Sequence, residues 1–209
     1  LIRRKASIDK RPVGVFPGGL VYLPPDTPLP PEARRAPEDF LKSIETHADG
    51  PRAAAARTAL AELKVWKKGS TKEDDANIQG VLKDYWATGV GNTAGDTIKS
   101  AWSAAFISWV MKQSGAGGSD FAYAINHGTY VAAARENRYS NSSNPFYAYK
   151  PTEVRLRVGD ILVRRYDKSK STDFDSIEGG DHGAGYHGDI ITSLSSGKVE
   201  MVGGNVGDS

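Results

Sequence analysis

The spacing of apolar residues divides the chain into an unpatterned start, a helical middle and a strand-rich end. Residues 1–36 lack helical periodicity, and the pairs Pro24-Pro25 and Pro30-Pro31 favour extended backbone, so this stretch is expected to be an extended Pro-rich arm or linker. Within it, Val13-Gly14-Val15-Phe16 and Leu20-Val21-Tyr22-Leu23 flank Pro17-Gly18-Gly19, the pattern of a short hairpin. Phe40, Leu41 and Ile44 then recur at helical spacing behind the acidic turn Pro37-Glu38-Asp39. Further helices are expected from Pro51 to Leu63, from Lys72 through Ile78, Val81 and Leu82 to Trp86, around Ser103, and from Asp120 to Asn137. The helix at Ser103 sets Phe106, Ile107, Val110 and Met111 on one apolar face.

After Pro151 the period shortens. Val158-Gly159-Asp160-Ile161-Leu162-Val163 reads as a Gly-Asp turn feeding a buried strand, and His187-Gly188-Asp189-Ile190-Ile191-Thr192 as a second. Ser195-Ser196-Gly197 turns the chain into Lys198-Val199-Glu200-Met201-Val202, an antiparallel partner. The Ser-, Asp- and Gly-rich loop from Tyr166 to Tyr186 is too long for a simple connection and is expected to cover a site or to move. The fold class is therefore α+β, with residues 37–209 forming one domain.

Composition narrows the function without naming it. A chain of 209 residues with 39% hydrophobic positions supports one core. A formal charge of +2 is far from the concentrated basicity of a nucleic-acid binder, so no nucleic-acid partner is expected. No apolar run reaches the roughly 20 residues needed to cross a bilayer, and membrane insertion is not expected. The chain starts at Leu1, stops just after a strand-like segment, and is expected to continue beyond both ends. It contains no cysteine, so thiolate chemistry is unavailable to it.

That absence matters because of the motif Trp102-Ser103-Ala104-Ala105-Phe106-Ile107-Ser108-Trp109-Val110. It resembles the nucleophile helix of the papain-like NlpC and CHAP cell-wall enzymes, with Ser103 at the position of the catalytic cysteine. Gly159-Asp160-Ile161, then His187, then Asn205 in Gly203-Gly204-Asn205 follow in the order these families use for a strand, the catalytic His and a polar third residue. The resemblance covers about residues 75–209 and is similar to an uncharacterised bacterial branch that joins WSAAFISWV to GGNVG. It implies a papain-like arrangement of helices on a small antiparallel sheet, with an N-terminal helical extension. Gly203 stands where many CHAP domains carry a glutamate.

Candidate site residues follow from chemistry and from that order. Ser103 in a first helical turn lies at the positive end of the dipole, where a developing anion is stabilised, although a serine there needs a strong base. His187 and Asp189 alternate onto one strand face, so imidazole and carboxylate can act together. Asn205 is the expected third member. Trp102, His127, Tyr130 and His182 are expected to bind substrate, with aromatic rings offered to sugars. Asp181, His182, His187 and Asp189 also invite a metal reading, but their spacing is irregular, and neither metal nor cofactor is expected.

The resemblance implies a peptidoglycan-degrading enzyme, secreted or delivered to the bacterial periplasm, where an antibacterial toxin would meet an immunity or delivery partner. Without a cysteine, cleavage of the glycan strand in the manner of a lytic transglycosylase asks least of the protein: a sugar hydroxyl attacks, and one proton-transferring carboxylate suffices. Asp189 is the expected carboxylate. A Ser103-His187-Asn205 amidase or endopeptidase, and an inactive wall-binding or partner-binding domain, are the alternatives.

Overall fold

The computed structural model describes residues 2–7, 19–23, 51–92, 101–150, 153–165, 174–177, 185–195 and 198–207. The elements are β1 (Ile2–Ser7), β2 (Gly19–Leu23), α1 (Pro51–Val65), α2 (Gln79–Asp84, continuing as a π turn over Tyr85–Gly89), α3 (Ser103–Gln113), α4 (His127–Tyr139), β3 (Tyr147–Tyr149), β4 (Ile161–Arg165), β5 (Tyr186–Ser195) and β6 (Lys198–Gly203). The architecture is α+β. The strands form one sheet of six in the order β1-β6-β5-β4-β2-β3. Its centre, β4-β5-β6, is antiparallel as expected, with Ile161 opposite Ile190 and Ile190 opposite Val202.

The edges depart from expectation. β1 adds antiparallel to β6, while β2 runs parallel to both β4 and β3, so the sheet is mixed and larger than the small antiparallel one implied above. Two pieces of the supposed arm are thus sheet strands, and Leu20–Leu23 pairs with β4, while the other half of the expected hairpin, 13–16, lies outside the described residues. The reason is tertiary: a strand's ladder is satisfied by partners distant in sequence, which local pattern does not disclose. The helix expected at Phe40–Ile44 lies outside the described residues.

Period-two alternation gives the sheet two apolar faces. Ile161, Val163, Ile190 and Val202 pack with α1 and α3 in a core holding Trp66, Leu82, Trp102 and Phe106, while Leu162, Ile191, Val199 and Met201 join Tyr149 and Leu156 on the other side. α1 buries Ala55, Ala56, Ala59 and Leu63, and its small alanines let it lie close to the sheet. α2 begins later than expected because Asn77 donates its backbone N–H to the Asp75 carboxylate, a local turn that competes with helix over 72–78. α4 likewise begins at His127, since Asn126 caps it by accepting the Thr129 N–H at 2.9 Å. Among the described residues no helix is long and apolar enough to cross a membrane.

Candidate functional site

α3 begins at Ser103, which thus lies in the first turn as expected, with Trp102 in the cap position making no side-chain cap. Ser103 is 7% exposed, and its Oγ lies 2.7 Å from Nε2 of His127, the first residue of α4. Nδ1 of the same imidazole meets the Tyr130 hydroxyl, one helical turn further on. Burial and the neighbouring His187 push the His127 pKa down from 6.5 to about 3, with Asp189 opposing them, so the ring is neutral at ordinary pH. Burial, then Asp189, holds the Tyr130 phenol well above its usual value.

A second group comes from β5. Nε2 of His187 is 3.2 Å from the Asp189 carboxylate, as the shared strand face requires, and both residues are fully enclosed. The register sets Asp189 between Leu162 and Gly203, on the sheet face opposite the helices, whereas Gly188 turns toward His127 and Tyr130. Gly188 is therefore the partition between the two groups, and around it the His127 and His187 rings approach to 5.7 Å between centroids. β6 closes over the carboxylate. A Cβ on Gly203 would stand 2.2 Å from Asp189 Oδ1 and 2.7 Å from His187 Nε2, leaving no room for a side chain there.

Several expectations need correction. The partner of Ser103 is His127 rather than His187, and Asn205 does not join His187 and Asp189 as a third member. Asn205 follows β6 in left-handed backbone (φ 55°) and is half-buried, with no hydrogen bond to either group among the described residues. Trp102 is wholly buried, stacked 4.8 Å from Trp66 with its Nε1–H donated to Glu73 at 2.8 Å, so it is core and not a sugar platform. Tyr130 and His127, expected to bind substrate, are interior and bonded to each other. Asp181 and His182 and most of the Tyr166–Tyr186 loop lie outside the described residues. Sequence reading missed His127 as the serine's partner; the Asn126 cap, with Thr129 three residues on, was the available signal for a helix starting there.

Chemically, this is a cluster of enclosed groups able to hold or pass protons, built where the starts of α3, α4 and β5 meet. A family model described as an uncharacterised protein conserved in bacteria, DUF2272, matches residues 64–209, and the chain belongs to that family. No curated protein and no solved structure matches the chain.

Proposed function

We propose that this DUF2272 member degrades peptidoglycan by cleaving the glycan strand, with Asp189, oriented by His187, as the proton-transferring group. The substrate class rests on the resemblance of the Ser103 helix, His187 and the Gly203-Gly204-Asn205 segment to the NlpC and CHAP cell-wall enzymes. The papain-like arrangement of helices on a sheet belongs to the same proposal, as does a secreted or periplasmic setting with an immunity or delivery partner.

The choice of bond rests on the enclosed His187–Asp189 pair beside two neutral hydroxyl groups and a neutral imidazole. Transglycosylation needs an attacking sugar hydroxyl, supplied by the substrate, and a protein group that moves one proton. Acyl transfer through Ser103 needs much more. It would have to hand its proton to His127, whose pKa of about 3 is some 4 units below that of an ordinary poised base, a handicap of about 5 kcal/mol. A Ser103–His127 amidase or endopeptidase remains the second reading because of the 2.7 Å contact between the two side chains.

Digestion of purified peptidoglycan by the full chain, with products resolved by mass spectrometry, separates these readings. Anhydro-muropeptides are expected, and Ser103→Ala should retain much of the activity. Newly freed amines, lost by several orders of magnitude in Ser103→Ala, would establish the amidase instead. Binding without turnover would make the chain a wall-binding domain.

A further inference from the structure

The hydrogen bonds around His127 determine which of its nitrogens carries the proton, and with it what Ser103 can do. Tyr130 is 1% exposed, and among the described residues its hydroxyl has one hydrogen-bond partner, Nδ1 of His127. A buried phenol must donate its proton, since an enclosed O–H without an acceptor forfeits the bond it would make to water. If Nδ1 carried a hydrogen, that N–H would point at the phenol oxygen and the phenol proton would have nowhere to go. The competing hydroxyl on the ring, Ser103, is less enclosed at 7% exposed and can turn its proton outward, so Nδ1 is the acceptor and the single proton of the neutral imidazole sits on Nε2. Nε2 faces Ser103 Oγ at 2.7 Å, so the ring donates to the serine oxygen. The serine's own proton is then directed away from His127.

We propose that Tyr130 fixes His127 as its Nε2–H tautomer, so that Ser103 acts on an oxygen of the substrate as a hydrogen-bond donor and not as a nucleophile. Tyr130 is thus a positioning residue, two bonds removed from the hydroxyl it controls. The donated proton suits a carbonyl, carboxylate or sugar oxygen. Its place in the first turn of α3, where the helix end carries partial positive charge, strengthens that preference. The role of Ser103 rests on the proposed reactive site, whereas the tautomer does not, so the two fail separately.

The test reads the tautomer without substrate. The full chain, labelled with 15N-histidine, gives long-range 15N–1H correlations at neutral pH, and His127→Gln identifies the His127 signals by their loss. A protonated Nε2 with a bare Nδ1 is expected. A protonated Nδ1, an even mixture of tautomers, or a doubly protonated ring would overturn the proposal. In Tyr130→Phe the bare Nδ1 loses its donor, and its resonance should move to higher frequency; an unmoved Nδ1 signal in the folded variant would show that Tyr130 does not donate to it. Should that variant fail to fold, the wild-type tautomer alone decides. A correct tautomer combined with an absence of anhydro-muropeptides would leave this inference standing and remove the proposed function.

Discussion

Asp160 and Asp189 are each 1% exposed and each lies against a nitrogen base, yet their surroundings give them different work. Asp160, at the turn into β4, faces Arg52 of α1, with Nε and Oδ1 at 3.1 Å but out of line for a hydrogen bond, and its Oδ2 accepts the Arg157 backbone N–H at 2.7 Å. Burial outweighs Arg52 and lifts its pKa to about 7. Asp189 faces an imidazole, and its field reaches His127 and Tyr130. A guanidinium does not release its proton at ordinary pH, so Asp160 has no exchange partner and ties α1 to the sheet. Both carboxylates are enclosed, and it is the company of other exchangeable protons that suits Asp189 to the proton transfer proposed above.

The largest expected effect tests that contrast directly. Asp189→Asn should lower peptidoglycan turnover by about 10²–10⁴-fold while the protein stays folded, and Asp160→Asn should leave the specific activity of the folded fraction near wild type. Equal losses in the two variants, measured by product formation per folded molecule, would erase the distinction.

The next effect concerns pH. Asp160, raised from 3.8 to about 7, binds its proton more tightly when folded, so its contribution to stability is full below 3.8 and is lost as pH rises to about 7. His127, depressed from 6.5 to about 3, does the reverse: its contribution is full above 6.5 and is lost as pH falls toward 3. The two nearly cancel in the wild type. Relative to wild type, Asp160→Asn should gain stability as pH rises from 4 to 7 and His127→Gln should lose it, each by at most about 1.4 kcal/mol per pH unit in urea melts. Differences of the same sign in both variants would contradict the assigned shifts.

A smaller effect involves the glycine beside each carboxylate. Gly159 has a left-handed φ of 89°, and a Cβ there would meet the Arg52 carbonyl oxygen at 2.0 Å. Gly159→Ala should therefore cost about 1–3 kcal/mol of stability, with activity per folded molecule intact. Gly203→Ala pushes on Asp189 and His187 and should instead depress activity more than its melting temperature explains. Comparable activity per folded molecule in the two variants would place both glycines in the scaffold.

The local pattern carried the place of Ser103 in a first helical turn, the strand containing His187 and Asp189 on one face, and the pairing of β5 with β6, because each depends on residues a few positions apart. It carried less where polar side chains compete for the backbone. Asp75 and Asn126 delay their helices by hydrogen bonds that apolar spacing does not register.

The amino-acid order thus determined which residues share a helix turn or a strand face and what chemistry was unavailable without cysteine. Tertiary structure alone decided that Ser103 meets a histidine 24 positions away and that Trp102 belongs to the core. It alone brought β1 and β2 into the sheet. Those outcomes depend on which distant surfaces pack together, and packing is set by complementary shape and by the need to pair every buried polar group, neither of which a local period encodes.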